Sequence, residues 1–296
     1  MIVVTLGGGL GNQLFQYAMG RQLSLQRSCC LKLYISNFKY EINRSYKLNH
    51  FTVEENFATE KEVEKLIGVY YSNTLHGKTF RKFARLLPKH KRTYFIEGDN
   101  WIHEPGVFKI SGNVLLEGFW QHYSYYENLP AEILNEITLK KQYQDNENHF
   151  LKKIDIDNSS VAVHIRRGDY LSDINNLNFF GVIALDYYQN AIKYMVARIE
   201  DPTFYIFSDD LNWAKDHLKI NVPMVFVDID NGTKEFLELD AMSRCRHNII
   251  ANSSFSWWGA FLNKNFNKIV IGPKHWVVDK QLNDKIQILF PGWIKL

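Results

Sequence analysis

Residues 161–170 read VAVHIRRGDY, and this stretch decides the fold class. Its first half, Val161 to Ile165, is almost entirely apolar, and it is followed at once by two arginines, a glycine and an aspartate. Such a short apolar run is typical of a strand that a parallel sheet buries on both faces. Ligands of parallel α/β sheets bind beyond the carboxyl ends of the strands. The stretch therefore predicts an α/β fold with a polar site at one edge of a sheet.

The chain after this stretch alternates regularly between apolar runs and amphipathic segments. We predict the following elements: strands at 203–207, 223–227, 248–251 and 268–271, and helices at 186–199, 211–218, 234–244 and 255–263. This alternation predicts a doubly wound parallel sheet that closes with the strand at 268–271.

A second α/β unit opens at the N-terminus. Val3 to Leu6 predicts a strand, glycines follow it, and a helical pattern starts near Asn12. The turn fails the G-x-G-x-x-G dinucleotide fingerprint, because Asn12 and Leu14 stand where glycine is needed. It is a bare backbone turn that lets a ligand approach, with Asn12 and Gln13 offering amides; helix capping by Asn12 is the alternative.

The region between the two units is less regular. It is predicted to hold a helix near 60–67, a basic helix near 79–87 and a strand at 114–116. Polar residues at 140–149 and 155–160 surround the predicted boundary. The sequence thus predicts an N-terminal domain over 1–155 and a C-terminal domain over 156–296.

Composition narrows the class of protein. The chain has 296 residues, 46% hydrophobic and 23% charged, as in ordinary globular proteins. Its net charge of +3 is too small to indicate a nucleic-acid binder but suits an anionic ligand. Three cysteines without disulfide or zinc spacing predict a reducing compartment. We see no signal peptide and no apolar run of about 18 residues, and expect a soluble or peripheral protein.

Two adjacent arginines, Arg166 and Arg167, follow the first strand of the second domain. Guanidinium groups stay charged and bind phosphate with paired hydrogen bonds, so the pair suits a nucleoside diphosphate. Asp169 would fix the geometry of an arginine or take up a proton; a structural salt bridge is the alternative. Residues 167–169 also spell the cell-adhesion tripeptide, but that motif requires an exposed loop, and here it directly follows a buried strand.

The motif FSDD, residues 207–210, ends the next predicted strand. Its carboxylates could accept hydrogen bonds from the amino group of a purine or from ribose hydroxyls. The alternative is that Ser208 and an aspartate cap the following helix.

The motif NSSFSWW, residues 252–258, lies between a strand and a helix. Asn252 and the serines are good N-cap residues, and the N–H groups at such a helix start form a natural phosphate cradle. Ser256 and the backbone at Ser254 and Phe255 would then face a pyrophosphate. Trp257 and Trp258 are predicted to lie in the core.

Two Asp-x-Asp motifs could hold a divalent cation. They are Asp228-Ile229-Asp230 and Asp155-Ile156-Asp157, and one class of sugar-nucleotide enzymes binds Mn²⁺ or Mg²⁺ through this pattern. Since an arginine pair and a helix N-terminus can neutralise a diphosphate, we predict no metal.

Segment 78–92 carries lysines and arginines and no acidic residue. A solvated helix face is the first interpretation. The second is contact with an anionic membrane surface or with a lipid-phosphate-linked substrate.

Taken in order, these motifs resemble the inverting α-1,2-fucosyltransferases of glycosyltransferase family 11. That family pairs G-G-L-G-N-Q-x-F-Q with H-x-R-R-x-D-Y, F-S-D-D and N-S-[ST]-F-S-W-W. The matching stretches here are Gly8 to Gln16, His164 to Tyr170, Phe207 to Asp210 and Asn252 to Trp258. Residues 117–121 (EGFWQ) and 291–293 (PGW) also fit, so the resemblance spans nearly the whole chain.

The resemblance implies a GT-B arrangement, in which two Rossmann-like doubly wound domains face each other across a cleft. The C-terminal domain would hold GDP-fucose, and the N-terminal domain would form the acceptor side of the cleft, which would take a galactoside. By resemblance, Arg166 and Arg167 would bind the pyrophosphate, and Ser254, Phe255 and Ser256 the β-phosphate. The other residues implied in donor binding are His164, Ser208, Asp209, Asp210, Asn252 and Gly11. The catalytic candidates are Arg166, Asn12 and, as general base, Asp169 or Asp173.

The leading prediction is an enzyme that transfers L-fucose with inversion to the 2-hydroxyl of a terminal β-galactoside, in surface polysaccharide or oligosaccharide synthesis. It needs neither metal nor other cofactor. One alternative is a metal-dependent transferase of another sugar nucleotide, and another is a carbohydrate-binding protein without catalysis. We expect no nucleic-acid partner and a cytoplasmic location, with contact at the inner membrane face through segment 78–92 as an open alternative.

Overall fold

The computed structural model describes residues 1–41, 44–71, 87–98, 101–144, 148–229 and 234–296. Its contacts divide the chain into two compact units, Met1–Thr138 and Leu139–Leu296. The boundary predicted after residue 155 lies at helix His149–Ile156, which belongs by contact to the second unit. Asp155 on this helix pairs with Arg244 of that unit at 3.0 Å.

The first unit contains a four-stranded sheet in which every pairing is parallel. Its strands are β1 (Ile2–Thr5), β2 (Leu31–Tyr34), β3 (Tyr94–Ile96) and β4 (Val114–Glu117), in the order β2-β1-β4-β3. Its helices are α1 (Leu10–Gln26), α2 (Glu60–Tyr71) and α3 (Ala131–Glu136). The strands predicted at 3–6 and 114–116 and the helix near 60–67 are confirmed. The basic helix predicted near 79–87 lies, apart from Leu87, outside the described residues.

The second unit contains a six-stranded sheet, again with every pairing parallel. Its strands are β5 (Ser160–Ile165), β6 (Thr203–Ser208), β7 (Met224–Phe226), β8 (His247–Ile249), β9 (Val270–Gly272) and β10 (Ile294–Lys295). Its helices are α4 (Lys141–Gln144), α5 (His149–Ile156), α6 (Gly168–Ser172), α7 (Ile174–Phe180), α8 (Leu185–Val196), α9 (Leu211–His217), α10 (Glu235–Arg244), α11 (Ser254–Leu262) and α12 (Lys280–Asn283).

The strand order of the second sheet, β10-β9-β8-β5-β6-β7, is that of a doubly wound Rossmann sheet. The predicted strands and helices of this unit are confirmed to within a few residues. The expectation that the strand at 268–271 closes the series is wrong, because β10 pairs with β9 at the sheet edge. A two-residue strand carries too little apolar pattern to be recognised in a sequence.

The order of strands reverses at one point in the second sheet, between β5 and β8. The chain leaves these two strands toward opposite faces of the sheet, which opens a crevice at their carboxyl ends. This point is where a ligand is expected to bind.

The core of the second unit explains why β5 is apolar throughout. All its residues are buried, and Val161, Val163 and Ile165 pack in one cluster with Ile192 and Met195 of α8. The prediction that Trp257 and Trp258 belong to the core is confirmed, since neither is exposed. Within the described part of the chain, no helix is both long and apolar enough to cross a membrane.

Candidate functional site

The predicted polar motifs of the second unit meet at the reversal point of its sheet. Arg166 and Arg167 follow β5, and Asn252 follows β8, the neighbouring strand. On the other side of β5, the register with β6 places Ile165 beside Ser208. Continued past the strand ends, this register brings the arginine pair opposite Asp209 and Asp210.

Arg166 is held between two carboxylates. Its Nη2 lies 2.8 Å from Asp169 Oδ1, and its Nη1 lies 3.1 Å from Asp209 Oδ2. The side chain is 23% exposed, so the guanidinium is oriented by its partners and still reaches solvent. The contact between Asp169 and an arginine that the sequence suggested is therefore present.

Arg167 is fixed through both its backbone and its side chain. Its backbone N–H donates to Asp209 Oδ1 at 2.8 Å, and its Nε lies 3.4 Å from Asp210 Oδ2. Its guanidinium lies 3.7 Å from the ring centre of Trp213, a cation–π contact. Sequence reasoning missed Trp213, because one tryptophan on an amphipathic helix carries no signal of its own.

Gly168 is required by a close approach. A Cβ atom at this position would lie 2.9 Å from Asp209 Oδ2, well inside van der Waals contact. A larger residue would therefore force a shift at the Asp209 carboxylate, which contacts both arginines.

Asp210 also caps a helix, which was the alternative interpretation of the FSDD motif. Its Oδ1 accepts the backbone N–H of Trp213 at 3.2 Å and thereby caps α9. Ser208 Oγ accepts the backbone N–H of Asp210 at 3.0 Å. Capping does not use up Asp210, since its other oxygen faces Arg167.

His164 is a buried, neutral histidine beside the arginines. Burial, and secondarily the charge of Arg166, lower the pKa of its imidazole to about 3. Its Nδ1 is buried with no hydrogen-bond partner among the residues described, and its ring centre lies 5.6 Å from that of Phe255. This places His164 between the arginine pair and the start of α11.

The NSSFSWW motif builds the start of α11. Ser253 is its N-cap and accepts the N–H of Phe255 at 3.3 Å, while Ser256 Oγ donates to the carbonyl of Ser253 at 3.4 Å. The first N–H groups of a helix have no acceptor within the helix and carry its positive dipole end. Ser254, Phe255 and Ser256 thus form the helix turn nearest to the reversal point.

Asn252 ties this helix start to its surroundings. Its side-chain N–H group donates to the carbonyls of Phe180 and Trp276 at 3.0 and 3.1 Å. Its own carbonyl accepts the hydroxyl of Tyr170 at 2.9 Å, and Tyr170 belongs to the short helix that carries Asp169. The arginine segment and the start of α11 are therefore locked together.

Asp173 lies one turn beyond Asp169, whose backbone carbonyl accepts its N–H at 3.2 Å. It is exposed, and its Oδ1 accepts the backbone N–H of Asn175 at 2.8 Å, which caps α7. Of the two candidate bases, Asp169 is engaged by an arginine and Asp173 by a helix start.

Gly11 and Asn12 belong to the first unit. Helix α1 begins at Leu10 with Gly9 as its N-cap, so the interpretation of Asn12 as a cap is wrong. Asn12 Oδ1 accepts from Gln121 Nε2 at 2.8 Å and remains half-exposed.

Gln13, in contrast, serves the fold. It is fully buried; its amide donates to the carbonyls of Gly8 and Ser45 and accepts the N–H of Lys47, each at 2.9 Å. Of the two amides suggested for ligand binding, only Asn12 is open to solvent.

Glu238 on α10 is a further titratable group that sequence reasoning missed. Burial raises its pKa to about 8, and the neighbouring carboxylates of Glu235, Asp228 and Asp209 act in the same direction. On an amphipathic helix such a residue looks like an ordinary surface glutamate.

The two Asp-x-Asp motifs have different outcomes. The motif at residues 228–230 is only partly described, because Asp230 lies outside the described residues. The motif at residues 155–157 makes contacts within the fold. Asp155 pairs with Arg244, and Asp157 accepts hydrogen bonds from Ser159 N and Tyr205 Oη at 2.9 Å each. Among the residues that the structure describes, no three or more His, Cys, Asp or Glu side chains are placed to hold a metal.

Comparison with known sequences identifies related proteins along the whole chain. The family model "Glycosyl transferase family 11" matches residues 1–296. An alpha-1,2-colitosyltransferase of Escherichia coli is 32% identical over 96% of this chain and 94% of that protein. The O-antigen biosynthesis glycosyltransferase WbnK of Escherichia coli is 31% identical over 98% of this chain and 99% of that protein. A galactoside 2-alpha-L-fucosyltransferase, SEC1 of Bos taurus, is 29% identical over 55% and 45%.

Solved structures share the fold. A mutant of Arabidopsis thaliana FUT1 in complex with GDP matches with a TM-score of 0.52 at 9% identity, over 95% of this chain and 72% of that one. NodZ alpha-1,6-fucosyltransferase co-crystallised with GDP matches with a TM-score of 0.50 at 14% identity, over 88% and 92%. The expectation of a GT-B-like fold built from two doubly wound α/β units is supported by these neighbours.

Proposed function

Because this chain belongs to glycosyl transferase family 11, we propose that it transfers L-fucose from GDP-β-L-fucose to the 2-hydroxyl of a terminal β-galactoside, with inversion. The observation that carries the proposal is the position of Arg166 and Arg167 beside the start of α11, at the reversal point of the second sheet. Two guanidinium groups and a helix N-terminus form a site for a pyrophosphate.

The same groups can stabilise the transition state. As fucose leaves GDP through an oxocarbenium-like state, negative charge grows on the β-phosphate. Donors that strengthen with this charge lower the barrier more than they favour substrate binding. A guanidinium has five N–H donors, so the two carboxylate contacts of Arg166 do not exhaust it. Asp169 and Asp209 hold it in a fixed orientation before the donor arrives.

The nucleoside is proposed to lie on the β6 side of the arginine pair. Ser208, Asp209 and Asp210 end that strand, and carboxylate oxygens accept hydrogen bonds from ribose hydroxyls and from the amino group of guanine. The neutral imidazole of His164 lies toward the α11 side, near Phe255. The GDP bound in the fold neighbours supports a guanine nucleotide as part of the donor.

The glycan that accepts the sugar is proposed to be a bacterial surface polysaccharide. The name of the relative WbnK, an O-antigen biosynthesis glycosyltransferase, supports this. A cytoplasmic location and contact of segment 78–92 with the inner membrane face belong to the same proposal. Residues 78–86 lie outside the described part of the chain.

GDP-colitose is a second candidate donor, because one relative of this chain is an alpha-1,2-colitosyltransferase. Colitose is L-fucose without its 3-hydroxyl, so both donors present the same GDP group to the arginines. The choice between them depends on the sugar 3-hydroxyl alone.

We expect GDP to raise the melting temperature of the protein, and UDP and CMP to leave it unchanged. A ligand at 100 times its Kd stabilises the folded protein by about 2.7 kcal/mol, which a thermal shift detects.

Transfer from GDP-fucose to lactose should then proceed equally with and without EDTA, and faster than transfer from GDP-colitose. Selective stabilisation by UDP would overturn the donor assignment. Loss of transfer in EDTA, restored by Mn²⁺, would overturn the metal-free mechanism.

We propose Asp173 as the general base and Asp169 as a residue that orients Arg166. Asparagine remains a good N-cap, so Asp173→Asn keeps α7 intact while removing the base. We expect it to lower kcat by about 100-fold with little change in the KM for GDP-fucose. Asp169→Asn should lower kcat less, because its amide oxygen still accepts from Arg166. If instead Asp169→Asn lowers kcat more than Asp173→Asn does, the two roles are reversed.

A further inference from the structure

The two arginines of the donor site are held in different ways. Arg166 has each of its Nη groups against a carboxylate, that of Asp169 or that of Asp209. The Arg167 side chain contacts a carboxylate through Nε alone, 3.4 Å from Asp210 Oδ2, and its two Nη groups have no partner among the residues that the structure describes. The side chain is nevertheless only 16% exposed. Arg167 is thus held in place while the N–H donors of both Nη groups stay available to a ligand.

The flat face of the Arg167 guanidinium is covered by Trp213 of α9. The guanidinium carbon lies 3.7 Å from the centre of the indole ring, well inside the distance of about 6 Å at which a ring face attracts a cation. A ring face holds an arginine without accepting its N–H groups and without cancelling its charge. A further carboxylate in this place would compete with a phosphate for the same donors. Trp213 is therefore the kind of partner that leaves an arginine free to bind an anion.

Trp213 is fixed by the same aspartate that contacts Arg167. Asp210 Oδ1 accepts the backbone N–H of Trp213 at 3.2 Å, while its Oδ2 faces Arg167 Nε. The indole is also partly buried and packs against the core cluster formed by β5, β6 and α8. The position of the ring relative to the guanidinium is thus set by one carboxylate and by the core.

His217 covers the other face of the indole. The ring centres of His217 and Trp213 are 4.6 Å apart at an angle of 13°, and His217 Nδ1 donates to the carbonyl of Trp213 at 2.9 Å. Two flat groups so close to one ring centre cannot share a face, so Trp213 lies between Arg167 and His217. With both faces covered, the indole has no face left on which the base of a nucleotide could stack. Any effect of Trp213 on a nucleotide is therefore exerted through Arg167.

We propose that Trp213 is a positioning residue for the donor, which holds Arg167 by its flat face so that both Nη groups are free to bind the pyrophosphate. His217 supports the indole from behind. The inference rests on the proposed function in one respect, that the donor carries a pyrophosphate. It does not depend on which base or which sugar the donor contains.

The first test is calorimetric titration of GDP into Trp213→Leu and Trp213→Phe. Leucine keeps an apolar side chain but has no ring, whereas phenylalanine restores a smaller ring face. We expect Trp213→Leu to raise the Kd of GDP by about tenfold, the loss of one partly desolvated cation–π contact, and Trp213→Phe by about threefold or less. The Kd of guanosine, which has no phosphate, should change by less than about twofold in both variants.

A matched control removes a similar ring elsewhere in the same unit. Tyr194 is partly buried, packs against the same core cluster and lies under an arginine, with its ring centre 3.5 Å from the guanidinium carbon of Arg198. Arg198 lines a cavity with Asn158 and Asp201, which precede β5 and β6 and so lie at the opposite edge of the sheet from Arg167. Tyr194→Leu should therefore leave the Kd of GDP unchanged.

A double-mutant cycle with Arg167→Met separates positioning from a general effect on the fold. Methionine keeps most of the length of the side chain but has no guanidinium, so Trp213→Leu should raise the Kd of GDP by less than about twofold in this background. A merely structural role of Trp213 would give the same tenfold loss in both backgrounds. If Trp213→Leu melts too low to be titrated, Trp213→Met takes its place, because it also lacks a ring and suits a helix.

The outcomes distinguish this inference from the proposed function. An unchanged Kd of GDP in Trp213→Leu, an equal loss in both backgrounds, or an equal weakening of guanosine binding would overturn the role of Trp213. Selective binding of UDP by the native protein would instead count against the proposed function. The cycle is then run with UDP, which contains the same pyrophosphate, and still decides the role of Trp213.

Discussion

Replacing Arg166 with alanine lowers kcat/KM for GDP-fucose by about 1,000-fold, if the arginine pair stabilises the leaving GDP. Hydrogen bonds to charged groups contribute roughly 1.5–3 kcal/mol each, and a guanidinium can make two of them to a phosphate. The loss should be larger in kcat than in GDP affinity, because the charge on the β-phosphate grows in the transition state. The measurements are steady-state kinetics with GDP-fucose and calorimetric titration of GDP.

Arg166→Ala also leaves Asp169 and Asp209 without their partner, so controls must separate catalysis from structure. Arg166→Lys keeps the charge but loses the planar fork, and we expect an intermediate loss of about 10- to 100-fold. Arg198→Ala removes an exposed arginine of the same unit, which lies over the ring of Tyr194, and should leave the rate unchanged. Near-native turnover in Arg166→Ala, in a protein with an unchanged melting temperature, would sink the assignment of the donor site.

The second large effect concerns Trp257, the residue through which α11 packs against the core. Trp257 is fully buried, its Nε1–H donates to the carbonyl of Ile288 at 2.8 Å, and its ring stacks on those of Phe261 and Phe290. Trp257→Ala would leave a cavity and an unpaired carbonyl, and we expect a loss of about 3–5 kcal/mol in the free energy of unfolding. Urea denaturation followed by circular dichroism measures this loss.

Two control substitutions accompany this measurement. Trp257→Phe keeps most of the ring and loses the hydrogen bond, so it should cost about 1–3 kcal/mol. Phe266→Ala alters a ring that is 99% exposed in the same unit and should change stability by less than about 0.5 kcal/mol. If Trp257→Ala and Phe266→Ala prove equally mild, the aromatic cluster does not support α11. Because α11 carries the proposed phosphate cradle, GDP should also stabilise Trp257→Ala less than the native protein.

The periodicity of the sequence predicted most of the second sheet. Strands β5 to β9 lie within a few residues of their predicted places, because apolar runs alternate there with amphipathic helices of ordinary length. The short edge strand β10 and the strands β2 and β3 were not predicted. Strands β2 and β3 lie where the sequence lacks the regular alternation of apolar runs and amphipathic helices, and β10 has only two residues.

The roles of individual polar residues could not be predicted from their own segment of the sequence. Gln13 and Asn12 are neighbouring amides in one motif, yet Gln13 is saturated by backbone groups and Asn12 faces Gln121. Trp213 carries no local signal, and only the tertiary structure shows that it packs against Arg167. Which side of a helix or turn meets another segment is a property of the tertiary structure.

By itself, the sequence determined the fold class, the family and the set of polar motifs at the strand ends, since apolar period and motif order are local properties of the chain. The tertiary structure alone decided which carboxylate holds which arginine. Arg166 and Asp209 are far apart in sequence, and they meet because β5 and β6 pair in a register that sets Ile165 beside Ser208. That register depends on how all the strands of the sheet are packed by their helices, which no short stretch of residues encodes.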